Sequence, residues 1–260
     1  LRILLGIVSF CPLFVFFINI INHSILFRST PQKPMRLKKE FADIPQNKTA
    51  TVLTVMLESE KAVKKALKTV EEYYAGNFLE NGVYVILADL CESTSVATKE
   101  DEKIISLLES GISELNKKSD NRFSVLLRSR QKRDNKYSGW ERKRGAIEQL
   151  VHYITDNEDI FLLNVNGEIL KDTNYICTLD ADTIVPPESI SRLLGVIAHP
   201  KNKIHFGNFP RGYGLVQAEI GTTLTNETLF SNIMATQGGI DAYNYPVGEV
   251  NNDFFLSGSF

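Results

Sequence analysis

Several signatures of well-characterised chemistries are missing from this chain of 260 residues. Its four histidines show neither HExxH nor a Cys/His ligand spacing, so zinc hydrolysis has no ligand set. No GxSxG, GxxxxGKS/T or GxGxxG segment occurs, and hydrolase, P-loop and dinucleotide-binding functions therefore have no anchor in the sequence. The three cysteines are far apart and odd in number, which predicts neither a disulfide framework nor a CxxC metal site.

A large excess of charge of one sign is also lacking. The formal net charge is -2 and the pI is about 6.2, whereas nucleic-acid-binding domains usually carry a strong basic excess. We therefore expect no nucleic-acid partner. The composition, 43% hydrophobic and 23% charged, is ordinary for a folded chain of one or two domains.

One long hydrophobic run is present at the N-terminus. Residues 3–21 carry no charge, and only Ser9 and Asn19 are clearly polar. Because about 20 apolar residues cross a bilayer as a helix, we predict a transmembrane helix within residues 1–27. The alternative is a signal peptide, but its apolar core is usually shorter, about 7–15 residues, and no small-residue cleavage site follows here.

Basic residues follow this run within a predicted juxtamembrane linker, residues 28–48. They are Arg28, Lys33, Arg36, Lys38 and Lys39. Positive charge beside a membrane span marks the cytoplasmic side. We expect a chain anchored in a bacterial-type inner (plasma) membrane, with residues 49–260 facing the cytoplasm. The chain begins at Leu1 and ends at Phe260 in an apolar stretch, and we expect a fragment whose partners include the remainder of a longer polypeptide.

Beyond the linker, short apolar runs alternate with helical patterns. Strands are predicted at residues 50–57, 83–90, 122–127 and 175–179, and helices after Ser59, around 104–115 and at 140–154. Strands that are apolar throughout and alternate with helices predict an α/β fold with a mainly parallel sheet and helices on both faces. Ligands of such sheets bind outside the carboxyl ends of the strands.

Acidic side chains stand at two of these strand ends. Asp89 closes the second predicted strand, and Asp180 and Asp182 follow the fourth. In extended chain, residues two apart point the same way, so the last two could hold one hard cation, Mg²⁺ or Mn²⁺, together with phosphate oxygens. The alternative is that they only cap the turn before Pro186 and Pro187.

A basic cluster opens the third predicted helix. Arg142, Lys143 and Arg144 oppose the helix dipole there, at roughly 0.3–1 kcal/mol per charge, and a bound diphosphate would explain the placement. Gly145 would then allow close backbone approach. The alternative is a solvated basic surface, because residues 128–148 hold eight Lys or Arg against three acids.

Several blocks of the chain resemble the glycosyltransferase region of cyclic β-1,2-glucan synthases. They are GWERKRGAIEQL at 139–150, YICTLDADTIVPP at 175–187, RLLGVIAHP at 192–200, GYGLVQ at 212–217 and GGIDAY at 238–243. The resemblance implies a Rossmann-like GT-A fold, UDP-glucose as donor, a divalent metal, and inverting transfer of glucose to a growing β-1,2-glucan acceptor. The chain departs from the family pattern at Thr54-Val55 and at Leu256-Ser257.

The resemblance also assigns roles to individual residues. Asp180 and Asp182 would be metal ligands, with Asp180 also on the diphosphate side. Asp89 would contact the nucleoside, and Lys143 and Arg144 the diphosphate. In the family's pattern the carboxylate general base lies further along, beyond Phe260, so no catalytic residue is assigned in this chain.

The C-terminal part of the chain supplies three candidates for the acceptor side, Gln217, Asp241 and Asp253. For the two aspartates, a solvated acidic face is the alternative. A second hypothesis for the whole chain is a non-catalytic, membrane-anchored scaffold built on a decayed glycosyltransferase fold. The altered Leu256-Ser257 pair and the missing base keep that hypothesis open.

Overall fold

The computed structural model describes residues 34–205 and 211–218, together with ten scattered residues of the terminal segments. Two compact units are present, Met35–Val216 and a smaller one formed by Leu1–Pro34 with Gln217–Phe260. Most of the predicted transmembrane helix lies outside the described residues. Among those that are described, no helix is long and apolar enough to cross a membrane.

The larger unit is built on a five-stranded sheet. Its strands are β1 (Thr49–Leu57), β2 (Gly82–Leu90), β3 (Phe123–Arg128), β6 (Phe161–Val165) and β7 (Tyr175–Asp180). They lie in the order β6-β3-β2-β1-β7, and only β6 runs antiparallel to its neighbour. Two short strands, β4 (Gln131–Arg133) and β5 (Lys136–Ser138), form a separate hairpin.

Five helices accompany these strands in the larger unit. They are α1 (Lys39–Ala42), α2 (Glu60–Gly76), α3 (Lys99–Lys118), α4 (Arg142–Asp156) and α5 (Ser189–Ile197). Single 3-10 turns lie at Pro45–Asn47, Gly167–Leu170 and Pro200–Asn202. As the sequence predicts, α2 begins after Ser59, whose side chain accepts a hydrogen bond from the Ala62 N–H.

The strand β2 shows why the sheet is covered on both faces, since all nine of its residues are buried. Tyr84, Ile86 and Ala88 pack with apolar residues of α2 and α3, while the alternate residues Val85 and Leu87 pack with α4. A continuous apolar run therefore satisfies two cores at once. The predicted α/β fold, with a mainly parallel, Rossmann-like sheet, is confirmed.

Several elements were not predicted, among them the β4-β5 hairpin and the edge strand β6. The β4-β5 hairpin is polar and exposed, and it turns at Asp134, which has a positive φ of 54°. The edge strand β6 has only five residues, four of them apolar, and is too short to be distinguished from a helix segment by periodicity. The chain therefore does not pass directly from β3 to a helix and on to a parallel strand.

Part of the predicted linker is folded onto the larger unit. The Leu37 N–H donates to the Gly195 carbonyl of α5 at 2.9 Å, and Ala42 is fully buried against α5. Asp43 accepts hydrogen bonds from the N–H groups of Glu80 and Asn81, at 2.6 and 3.0 Å. These contacts tie the end of α1 to the turn that precedes β2.

The strand order reverses at β1. From this strand the chain moves through β2 and β3 and later returns to place β7 on the other side of β1. The crevice outside the carboxyl ends of such strands is where open α/β sheets bind ligands. The candidate site therefore lies where Thr54, Asp89 and Asp180 end their strands or come close to doing so.

Candidate functional site

An acidic turn, residues 180–183, follows β7. The strand ends at Asp180, and the Thr183 N–H donates to the Asp180 carbonyl at 3.0 Å, closing a turn that contains Asp182. The sequence argument took both aspartates to lie in extended chain. Asp180 does so as the last residue of β7, whereas Asp182 lies in the turn. Both residues are exposed, so their carboxylates are accessible to a ligand.

Two hydroxyl groups hold this turn in place by hydrogen bonds. Thr54 Oγ1 donates to the Leu179 carbonyl at 3.1 Å and lies 3.3 Å from Asp180 Oδ1. Tyr73 of α2 donates to the Thr183 carbonyl at 3.0 Å, with the Asp180 carbonyl 3.4 Å away. Burial, followed by the nearby Cys177, Asp180 and Asp182, raises the pKa of Tyr73 to about 12, so its hydroxyl stays a donor. Sequence analysis did not identify Tyr73, which has the pattern of an ordinary core position.

The start of α4 reaches the acidic turn. Lys143 Nζ donates to Asp180 Oδ1, which joins two residues that are 37 apart in sequence. The lysine and aspartate side chains keep 46% and 54% of their surface exposed, so the pair faces solvent. The structure thus brings together two of the predicted site residues.

The first turn of α4 has the features of an anion-binding helix start. Glu141 occupies the N-cap in a left-handed conformation, and its side chain makes no capping hydrogen bond. The first turn holds no acid. Its free N–H groups and the dipole favour an anion at this end.

Arg144 is oriented differently from Lys143. Its Nε lies 3.4 Å from Glu141 Oε2, and its side chain is 79% exposed. The structure therefore brings Lys143, and not Arg144, into contact with the acidic turn.

Asp89 is engaged by Arg128, a residue that sequence analysis did not single out. Arg128 Nε and Nη2 donate to the two oxygens of Asp89 at 2.7 and 2.8 Å, and the arginine is 2% exposed. The same guanidinium donates to the carbonyls of Trp140 and Arg142, each at 2.9 Å. Asp89 thus holds Arg128, and Arg128 holds the start of α4. The signal available in the sequence was the position of Arg128 at the end of a buried strand.

Two glycines are required by this packing. A Cβ on Gly139 would lie 2.5 Å from Asp89 Oδ1, and a Cβ on Gly145 would lie 2.1 Å from the Trp140 carbonyl oxygen. The sequence argument proposed that Gly145 allows close approach to a ligand. Gly145 is buried, however, and its close approach is to Trp140.

The basic run at residues 128–148 is not uniformly solvated. The Arg130 side chain is only 4% exposed, and it pairs with Asp101 at the start of α3. Burial would raise the pKa of Asp101, but hydrogen bonds from Arg130 and Thr98 outweigh it and lower this pKa below its usual value. Arg130 also donates to the Cys91 carbonyl at 2.6 Å, which fixes the loop after β2.

No protein-family profile matches the chain. It is 28% identical over 246 residues, 88% of its length, to "Cyclic beta-(1,2)-glucan synthase NdvB" of Rhizobium meliloti (strain 1021). The chain is related to a glucan synthase. The resemblance drawn from the sequence blocks is confirmed, and the chain spans 9% of the length of this relative.

The resemblance to glucan synthases predicts a divalent metal at this site. Among the residues that the structure describes, no group of three or more His, Cys, Asp or Glu side chains could hold a metal ion. Asp180 and Asp182 nevertheless supply carboxylate oxygens, and Mg²⁺ is commonly bound through one or two carboxylates with phosphates and water. The donor set therefore fits a metal that arrives with a phosphate-bearing ligand.

Three residues of this chain are predicted on the acceptor side, and the structure describes one of them. Gln217 is exposed and belongs to the smaller unit. Asp241 and Asp253 lie outside the described residues. Their assignment, like that of a general base beyond Phe260, stays a prediction.

Proposed function

We propose that this chain is the donor-binding part of an inverting glycosyltransferase that transfers glucose from UDP-glucose to a growing β-1,2-glucan. The contact between Lys143 and Asp180 at the carboxyl edge of the sheet carries the proposal. The relationship to a named glucan synthase supports the substrate class. The membrane anchor and the cytoplasmic orientation belong to the same proposal.

The Lys143–Asp180 ion pair is suited to a ligand that carries both a cation and an anion. Mg²⁺ or Mn²⁺ would be held by Asp180 and Asp182, and the diphosphate by Lys143 and the free N–H groups of α4. Asp180 would then bind the metal ion in place of Lys143, and Lys143 would bind the diphosphate in place of Asp180. An exposed ion pair contributes only about 0–1 kcal/mol, so opening it is inexpensive.

The chemistry that the metal supplies when bound is neutralisation of charge on the departing diphosphate. Lys143 adds a second positive charge, and the first turn of α4 adds oriented N–H donors that need no rearrangement during the reaction. Arg144 can reach the diphosphate only by leaving Glu141. Asp89 acts on the site through Arg128, and 12% of its side-chain surface stays exposed for contact with the nucleoside. The base that activates the acceptor hydroxyl is expected outside this chain.

Calorimetric titration of the chain with UDP tests the proposal. We expect binding that is strengthened by Mn²⁺, and we expect Asp182→Ala to abolish the metal-dependent part while leaving the fold intact. Glu114→Ala, which removes an exposed acid on α3, is the matched control and should bind like the original chain.

Equal heats with and without metal, unchanged in Asp182→Ala, would remove the metal assignment. Absence of any UDP binding would favour the alternative, a non-catalytic scaffold.

A further inference from the structure

Trp140 is the only tryptophan of the chain, and it lies directly before α4. This large, mainly apolar residue is 41% exposed. We infer that the Trp140 indole stacks on the nucleobase of the nucleoside diphosphate, a role that rests on the proposed function and adds a specificity-determining residue to it.

Both the backbone and the ring of Trp140 are held in place. Its carbonyl accepts a hydrogen bond from the buried Arg128 at 2.9 Å. On the other side, a Cβ on Gly145 would lie only 2.7 Å from Trp140 Cε3, so the ring rests on the first turn of α4. An aromatic ring already fixed by its surroundings loses little conformational freedom when a ligand binds.

The ring nevertheless keeps unused binding capacity. Within the described part of the chain, the indole N–H donates no hydrogen bond and no aromatic ring packs on the indole, although several other aromatic residues do form such pairs. Tryptophan combines a large apolar face with one polar donor, and both usually find partners where they are buried. A ligand that covers the exposed part of Trp140 would supply them.

The position in the sheet favours a base over a sugar. Trp140 lies beside Gly139, which contacts the Asp89–Arg128 pair at the ends of β2 and β3. The strands β1 to β3 with their helices form one βαβαβ unit, the kind that holds a single nucleotide. On the proposed function, a nucleoside tethered to phosphates held between Lys143 and the acidic turn would extend toward β2 and β3. A planar base is the part of the donor that stacks best on an aromatic ring.

Because the chain has a single tryptophan, fluorescence excited at wavelengths where tyrosine hardly absorbs reports on this position alone. In the presence of Mn²⁺, UDP should change the fluorescence of the chain saturably, with the dissociation constant that calorimetry gives. Pyrophosphate, which lacks the base, should bind without that change.

Substitutions of Trp140 separate stacking from support of the helix. Trp140→Ala should weaken UDP binding by at least about fivefold, the lower end of what base stacking on an aromatic ring contributes. Trp140→Phe should retain most of the affinity. Both variants should bind pyrophosphate as the original chain does, and their thermal unfolding should confirm that they fold.

The outcomes are distinguishable. If calorimetry detects UDP binding but Trp140→Ala keeps full affinity, the stacking role is overturned and the proposed function stands. An equal loss of UDP and pyrophosphate affinity would show that Trp140 only supports α4, which also overturns the stacking role. If the original chain binds no UDP, the proposed function fails and this inference fails with it.

Discussion

Hydroxyl groups from two different elements determine where the acidic turn lies. Thr54 is on β1 and Tyr73 is on α2, and both donate to carbonyl groups at the end of β7 or just after it. Residues that orient metal-binding side chains often affect affinity nearly as strongly as the ligands themselves. The position of Asp180 and Asp182 is therefore a property of three elements and not of the turn alone.

Tyr73→Phe removes one of these hydroxyls without changing the packing of the ring. We expect roughly tenfold weaker Mn²⁺-dependent UDP binding, because the turn loses its anchor at Thr183. The matched control is Tyr84→Phe, which removes a buried hydroxyl bonded to the Asn77 carbonyl at 2.7 Å near the amino end of β2. Tyr73→Phe should lower the free energy of unfolding by about 1 kcal/mol, and Tyr84→Phe by about 1–3 kcal/mol, because it also leaves the buried Leu79 N–H without its acceptor. Calorimetry and urea unfolding measure the two effects, and equal losses of UDP affinity in both variants would contradict the role of Tyr73.

At the scale of elements, the strands and helices that were predicted are those whose apolar spacing is regular. β1, β2 and α3 are of this kind, and their inward-facing residues are buried. The polar β4-β5 hairpin has no apolar period to detect, and Arg128 was missed because a charged residue is normally exposed. The Lys143–Asp180 contact could be predicted, because the ends of parallel strands meet at one edge of the sheet. The hydrogen bonds that link Asp89 through Arg128 to α4 could be seen only in the structure.

The anchoring of α4 can be tested by removing Arg128. Arg128→Met leaves the Asp89 carboxylate nearly buried without its partner and frees two carbonyls of the helix start. We expect a loss of about 3–5 kcal/mol in the free energy of unfolding, as for other broken buried pairs. Lys68→Met, which breaks the exposed Lys68–Glu72 pair on α2, should cost less than about 1 kcal/mol. Urea unfolding gives both values, and a comparable cost for the two variants would show that Arg128 does not hold the helix.

For the whole molecule, the division into two units separates the proposed donor site from the acceptor-side candidates. Asp89, Lys143, Arg144, Asp180 and Asp182 all belong to Met35–Val216, as do the sheet and its apolar clusters. Gln217, Asp241 and Asp253 belong to the smaller unit. Donor binding should therefore depend on the larger unit alone.

A chain limited to residues 35–216 should consequently unfold in one cooperative transition and bind UDP with Mn²⁺ as tightly as the full chain. The physical reason is that every hydrogen bond described at the acidic turn and at the start of α4 joins residues inside this unit. Circular dichroism during thermal unfolding and calorimetric titration check the two parts, with Asp182→Ala in the shortened chain as the negative control. A shortened chain that folds cooperatively but binds UDP much more weakly would place part of the donor site in the smaller unit.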